Sequence, residues 1–238
     1  MSEVPRRSLV DEAHDRLREL IVSGRLAPGA PIIETEVASL LRVSRTHLRS
    51  ALQRLQQTGF VVTAPISVYS RSRVAPLTAS DARALFQIVG AIEGVAARGA
   101  AELAERPRRE LVAQLRRTNG ALLASSTAQP RDVAGAYRLD TEFHRTLVEQ
   151  GGGRRVLAVY EMVKPLADRY ERIYTSALIE STADSVQEHA AVIEAIEAGD
   201  RDAAQRGIEA NWRNAAARFA EIAGALGGFD VNHPHREK

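Results

Sequence analysis

The chain has 238 residues, 45% hydrophobic and 26% charged, which supports one large domain or two small ones with separate cores. It has no cysteine, so disulfide staples and thiolate zinc sites are excluded, and neither a signal-peptide core nor a membrane-length apolar run is evident. The expectation is a cytoplasmic protein with no membrane partner. The net charge of +2 divides into +4 over residues 1–76 (11 Arg against 7 acids) and −2 over residues 77–238 (19 Arg and 2 Lys against 23 acids).

In chain order, residues 9–23 place Leu9, Ala13, Leu17, Leu20 and Ile21 on one helical face, and Gly24 stands where a helix ends. Ala27-Pro28-Gly29-Ala30-Pro31 is a turn. A second helix over roughly 35–41 points Val37, Leu40 and Leu41 inward, and Arg42-Val43 makes a corner. Ser44 is placed to cap a third helix over roughly 45–57, whose Leu48, Ala51, Leu52 and Leu55 recur three and four apart. Residues 60–63 and 68–74 are short and β-rich, a two-stranded wing with Pro65 between them. Ala75-Pro76-Leu77 reads as a linker.

Six helices are expected beyond it, near 79–104, 107–125, 132–150, 154–179, 182–198 and 200–225. Pro107, the Ser125–Pro130 stretch, Gly151-Gly152-Gly153, Ser181-Thr182 and Gly199-Asp200 separate them, and Pro165 should kink the fourth. The expected fold is mostly α: a winged helix-turn-helix over 1–76, a helical bundle over 77–226 and a disordered tail over 227–238.

Between Val37 and Ser80 there is no Asp or Glu, yet Arg42, Arg45, Arg49, Arg54, Arg71 and Arg73 all fall there. A window of one charge sign calls for a counter-charge, and a phosphate backbone supplies one. In a helix-turn-helix the second helix enters the major groove with its N-terminal side chains at base edges. Arg45 is the candidate for guanine O6 and N7. Ser44, Thr46, His47 and Arg49 are placed for phosphates or bases, and Arg71 and Arg73 for phosphate or the minor groove beside a wing.

The order Gly24-Arg25-Leu26-Ala27-Pro28-Gly29, Glu36-Val37-Ala38, Val43 through Leu55 and Gly59 resembles the GntR family of winged-helix regulators. His47 and Ser72 depart from the family pattern, which bears on the target sequence rather than on DNA binding. Residues 78–224 resemble the all-helical FCD domain of the FadR-type branch. The likeness rests on Ile92-Glu93-Gly94, Asp140-Thr141-Glu142-Phe143-His144, Glu188-His189 and Gly199-Asp200.

Asp140 and His144 share a helix face, and His189 lies on a later inward face with Val192, Ile193 and Ile196. A divalent metal such as zinc would satisfy these three residues. So would an Asp–His hydrogen bond plus one satisfied core histidine. The resemblance implies a third histidine at position 211, where this chain has Asn211, a weaker donor. It also implies an arginine for a carboxylate effector at position 89, where Val89 stands. Arg138, Arg145, Tyr160, Arg169 and Tyr170 lie on helices near the same region, most of them expected at the surface.

The leading function is a homodimeric repressor of a double-stranded DNA operator, released or tightened by a small-molecule effector or metal. One alternative is an architectural DNA-binding dimer with no effector. Another is a hydrolase in which Asp140, His144 and His189 hold zinc, although no general base stands beside them: Glu142 and Glu188 neighbour the ligands in sequence and point elsewhere.

Overall fold

The computed structural model describes residues 8–63 and 72–225, with backbone only at 174 and 176–178. Arg71, most of the expected second strand and the tail lie outside the described residues. Contacts divide the chain into two units, with the change at Thr78 and Ala79.

In the first unit α1 (Leu9–Val22), α2 (Glu34–Leu41) and α3 (Arg45–Gln57) precede β1 (Val61–Thr63) and β2 (Ser72–Val74). Ser8 caps α1 by accepting from the Asp11 amide, which satisfies one of the free N–H groups of the first turn. The core forms from Ala13, Leu17 and Ile21 of α1, Val37 and Leu41 of α2, and Leu48, Ala51 and Leu55 of α3. Two expected core residues face outward instead: Leu9 and Leu40 are exposed. Leu9 opens its helix, where no turn precedes it to complete the face. In α2 the inward row is Val37, Ala38 and Leu41, so Leu40 falls on the opposite side of a helix only 8 residues long.

The α2–α3 corner turns on Arg42, whose φ of 55° is left-handed and unusual for a side chain with a Cβ. The Val43 amide donates to the Ala38 carbonyl at 3.0 Å, and Arg16 reaches the Leu41 carbonyl at 3.0 Å, so the exposed end of α2 is satisfied. β1 and β2 pair antiparallel, with Val61 opposite Val74. The segment at Gly29–Ile32 pairs with the other edge of β2 through Gly29, Ala30 and Ile32.

The second unit holds α4 (Ala79–Ala101), α5 (Glu105–Thr127), α6 (Val133–Gly151), α7 (Gly153–Leu178), a 3-10 turn at Ile179–Ser181, α8 (Thr182–Ala198) and α9 (Arg201–Ala225). Pro107 does not break a helix: it sits in the first turn of α5, where its missing N–H has no helical acceptor in any case. α7 runs through Pro165.

α4 is the axis of this unit and packs on α9, α7 and α6. By length and composition it is apolar enough to cross a membrane, which differs from the sequence expectation, but more than half of its most apolar window is buried in the unit. Buried Leu85, Phe86 and Val89 line it, each contributing about 1.5–3 kcal/mol when fully removed from water. At its far end the backbone comes against α6: a Cβ on Gly99 would lie 2.2 Å from the Gly151 carbonyl oxygen. Helices approach this closely only where both surfaces lack side chains.

Candidate functional site

The outer face of α3 presents Arg45, Thr46, Arg49 and Gln53 to solvent, with no acid on the helix. Ser44 and His47 are turned to the helix itself. The Ser44 hydroxyl oxygen accepts from the His47 amide at 3.2 Å and meets His47 Nδ1 at 2.9 Å. Two arginines of the acid-free window are held by acids from outside it. Arg49 Nε donates to Glu34 at 2.8 Å, and Arg54 donates to Asp11 at 2.6 Å. The Arg54 guanidinium, with help from Ser8, holds the Asp11 carboxyl down at about 2. Arg73, on the exposed side of β2, donates to the Gly29 carbonyl at 2.9 Å.

The second unit brings Asp140, His144 and His189 together, with one donor atom of each within 4.8 Å of the others. α6 supplies the first two from one face, and α8 supplies the third. The protonation of each ring follows from its other nitrogen. Asn119 donates its amide nitrogen to the Val186 carbonyl at 3.0 Å, so its oxygen faces His189 Nδ1 at 3.1 Å. Nδ1 therefore carries the proton and Nε2 a lone pair. His144 Nδ1 lies 2.6 Å from Glu93 Oε2, a carboxylate that only accepts, so in the neutral ring His144 Nε2 also presents a lone pair. Both Nε2 atoms stand 3.9 Å from Asp140, beyond hydrogen-bond reach. His189 Nε2 is buried and has no hydrogen-bond partner.

The surroundings bias these groups in different directions. Desolvation, followed by the charges of His144 and Arg218, holds His189 well below the usual imidazole range. Desolvation also opposes protonation of His144, but the Glu93 carboxylate outweighs it and the net direction is upward. Asp140 keeps a third of its side chain open, yet burial of the carboxyl raises it. A buried imidazole lone pair, a second one facing it and a carboxylate form a donor set that a divalent cation satisfies and a hydrogen bond does not. The residues fit the ion.

Glu93 and Asn119 are partners that sequence reasoning missed. Glu93 is completely buried and its Oε2 also accepts from Trp212 Nε1 at 2.7 Å. The available signal was an acid on the apolar face of α4, between Val89 and Ala97. Asn119 gave no comparable signal. Asn211 is buried, and its amide nitrogen donates to Glu188 Oε2 at 2.7 Å, which leaves the oxygen as the remaining donor. Glu188 also accepts from Asn214 and Arg218, both at 2.9 Å, so its carboxylate is taken up by α9.

Asp140, His144 and Asn211 all border one cavity of about 750 Å³ including its mouth, with Phe86, Trp212 and Phe219 forming its apolar wall. Val89 is fully buried and does not border it. Of the five further residues, most of them expected at the surface, Arg138 and Arg145 are there, whereas Tyr160, Arg169 and Tyr170 are buried in the bundle. The tyrosine rings go inward with their apolar bodies, and Tyr170 donates to Asp81 at 2.7 Å.

A winged helix-turn-helix on the same chain as a helical bundle with a polar-ended cavity defines a DNA-binding regulator with a sensing domain. Residues 9–67 match the model of the bacterial regulatory proteins of the gntR family, and residues 84–214 match the FCD domain. The chain belongs to the GntR family, in the branch that carries an FCD domain. It is 31% identical over 139 residues to an HTH-type transcriptional regulator of Agrobacterium vitis, covering 58% of this chain and 78% of the relative. It is 26% identical over 229 residues to a protein of Paenarthrobacter nicotinovorans named "Probable D-xylose utilization operon transcriptional repressor", covering 95% and 94%. The solved structure of E. coli McbR/YncC superposes with a TM-score of 0.70 at 17% identity, over 91% of this chain and 99% of that one, a likeness of fold.

Proposed function

We propose that this regulator acts as a repressor, that α3 reads its operator, and that a divalent cation held by Asp140, His144 and His189 forms the floor of the effector cavity. The observation that carries the sensing half is the buried, unpartnered Nε2 of His189 facing Asp140 and His144. A bound cation would supply a Lewis-acidic point to which an oxygen donor of an effector attaches. Glu93 and Asn119 fix which nitrogen of each histidine is left toward Asp140, and Asn211 would offer its amide oxygen as a further, weaker donor.

On the DNA side, Arg45 is the base-reading candidate and Thr46 a neighbouring contact. Arg49 would have to exchange Glu34 for phosphate, and Ser44 and His47 serve by fixing the start of the helix. Arg73 and Arg71 belong to the wing contact with phosphate. A homodimer suits this mode, since two recognition helices must meet grooves about 34–36 Å apart. Effector binding would shift the population of dimer conformations according to its differential affinity for them.

The test is fluorescence anisotropy of the full chain on the intergenic DNA upstream of its own gene. Salt is titrated, a scrambled duplex runs alongside, and zinc is added or chelated. Affinity about 1,000-fold above the scrambled duplex, falling with salt, supports a specific repressor. Equal binding of the two duplexes would overturn that reading.

A further inference from the structure

The cations around the cavity are already committed. Arg218 borders it but is forked onto Glu188, with Nη1 at 2.9 Å and Nη2 at 3.2 Å, and its second nitrogen also meets Ser185 Oγ at 3.1 Å. Lys164 is buried behind the wall and is shared by two carboxylates of its own helix, Asp168 and, at 2.9 Å, Glu171. Arg172 sits on the outer side, over the Tyr137 ring. Glu171 itself borders the cavity. One lysine between two acids leaves about one negative charge at that end. Burial, then the neighbouring Asp168, raises the Glu171 carboxyl to about 6 even with Lys164 beside it, so the anion lacks full compensation. Thr175, one turn further along α7, borders the cavity as well and donates its hydroxyl hydrogen to the Glu171 carbonyl, so its oxygen faces outward as an acceptor.

We propose that the effector is a small molecule with an apolar body and an ammonium group, the body lying against Phe86, Trp212 and Phe219 and the ammonium seated on Glu171. This rests on the reading of the cavity as the effector site. Among the described residues, a carboxylate-headed ligand of the same shape meets no uncommitted side-chain cation at the Glu171 end. An ammonium supplies the missing counter-charge through a charge-assisted hydrogen bond in a sheltered site.

Trp212 is the only tryptophan in the chain and borders the cavity, so its fluorescence reports occupancy. Three probes share one arene and differ in the head group: 2-phenylethylamine, 2-phenylethanol and 3-phenylpropanoate. They are titrated into the full chain, with zinc and with chelator. In the chelator arm, where no metal draws the carboxylate, the amine is expected to bind about tenfold or more tighter than the alcohol and the acid. Glu171→Gln is expected to bring the amine to within about twofold of the alcohol, with far-UV dichroism checking its fold. The wild-type ranking stands as a measurement without any variant. Acid binding equal to or tighter than amine binding in the chelator arm overturns the ammonium proposal while leaving the cavity as the effector site. An amine preference that survives in folded Glu171→Gln overturns the role of Glu171. Failure of all three probes overturns the cavity reading along with it.

Discussion

His189 shows how one side chain can be both finished and unfinished. Its Nδ1 is satisfied by Asn119 while its Nε2 is sealed from water with nothing to bond. Because its folded pKa lies below the ordinary imidazole value, the unfolded chain takes up the proton first as the pH falls. The contribution of neutral His189 is therefore present above about pH 6.5 and is lost on acidification. His144 has the opposite sign: its raised pKa favours the fold below about pH 6.5 and that contribution fades as the pH rises through the folded value. In urea melts with chelator present, His189→Gln should flatten the acid-side loss of stability; an unchanged acid limb would count against this account. Asn211→His should tighten zinc binding by about tenfold or more in competition with a chromogenic chelator, because imidazole is the stronger donor. No change would place residue 211 outside the metal's reach. At the other end of the chain, Ser44→Ala removes the cap of α3 and should lower stability by about 1 kcal/mol in urea. Arg45→Ala should leave stability unchanged and weaken operator binding by about 1–3 kcal/mol in the anisotropy assay.

Among the elements, α4 has the most contacts to satisfy at once. One of its turns packs Gly90 against Trp212, the next supplies Glu93 to His144, and its end passes Gly99 over Gly151. Its alanines and glycines follow from that crowding. Gly99→Ala puts a methyl where the Gly151 carbonyl oxygen lies, and should cost about 1–3 kcal/mol through displacement of α6. Thermal melting of the variant checks this, and an unaltered midpoint would show that the helices separate freely. The ends of the helices were largely legible because caps and breakers are local: Ser44 before α3, and the glycines 151–153, where Gly153 opens α7 with a φ of 66°. Pro107 misled because the same residue that breaks a helix interior is welcome in a first turn.

For the whole molecule, folding and cation binding are linked wherever the native state alone assembles the donor set. Zinc at about 100 times its Kd should stabilise the chain by about 2.7 kcal/mol, read as a rise in melting temperature. The rise should vanish in His189→Ala. A shift that persists there would move the cation elsewhere.

Composition, charge and periodicity by themselves determined the order of the elements, the acid-free third helix and the face that carries Asp140 and His144, because each depends on residues within a turn or two of one another. The tertiary structure alone decided the rest. It brought Asn119 to His189 and Glu93 to His144 from helices far away in the chain, turned Arg49 and Arg54 onto Glu34 and Asp11, and committed Arg218 to Glu188 before any ligand arrives. Those pairings join groups separated by 15 to 70 positions, a range over which no local spacing constrains the partner. The state of a buried histidine is set by that partner.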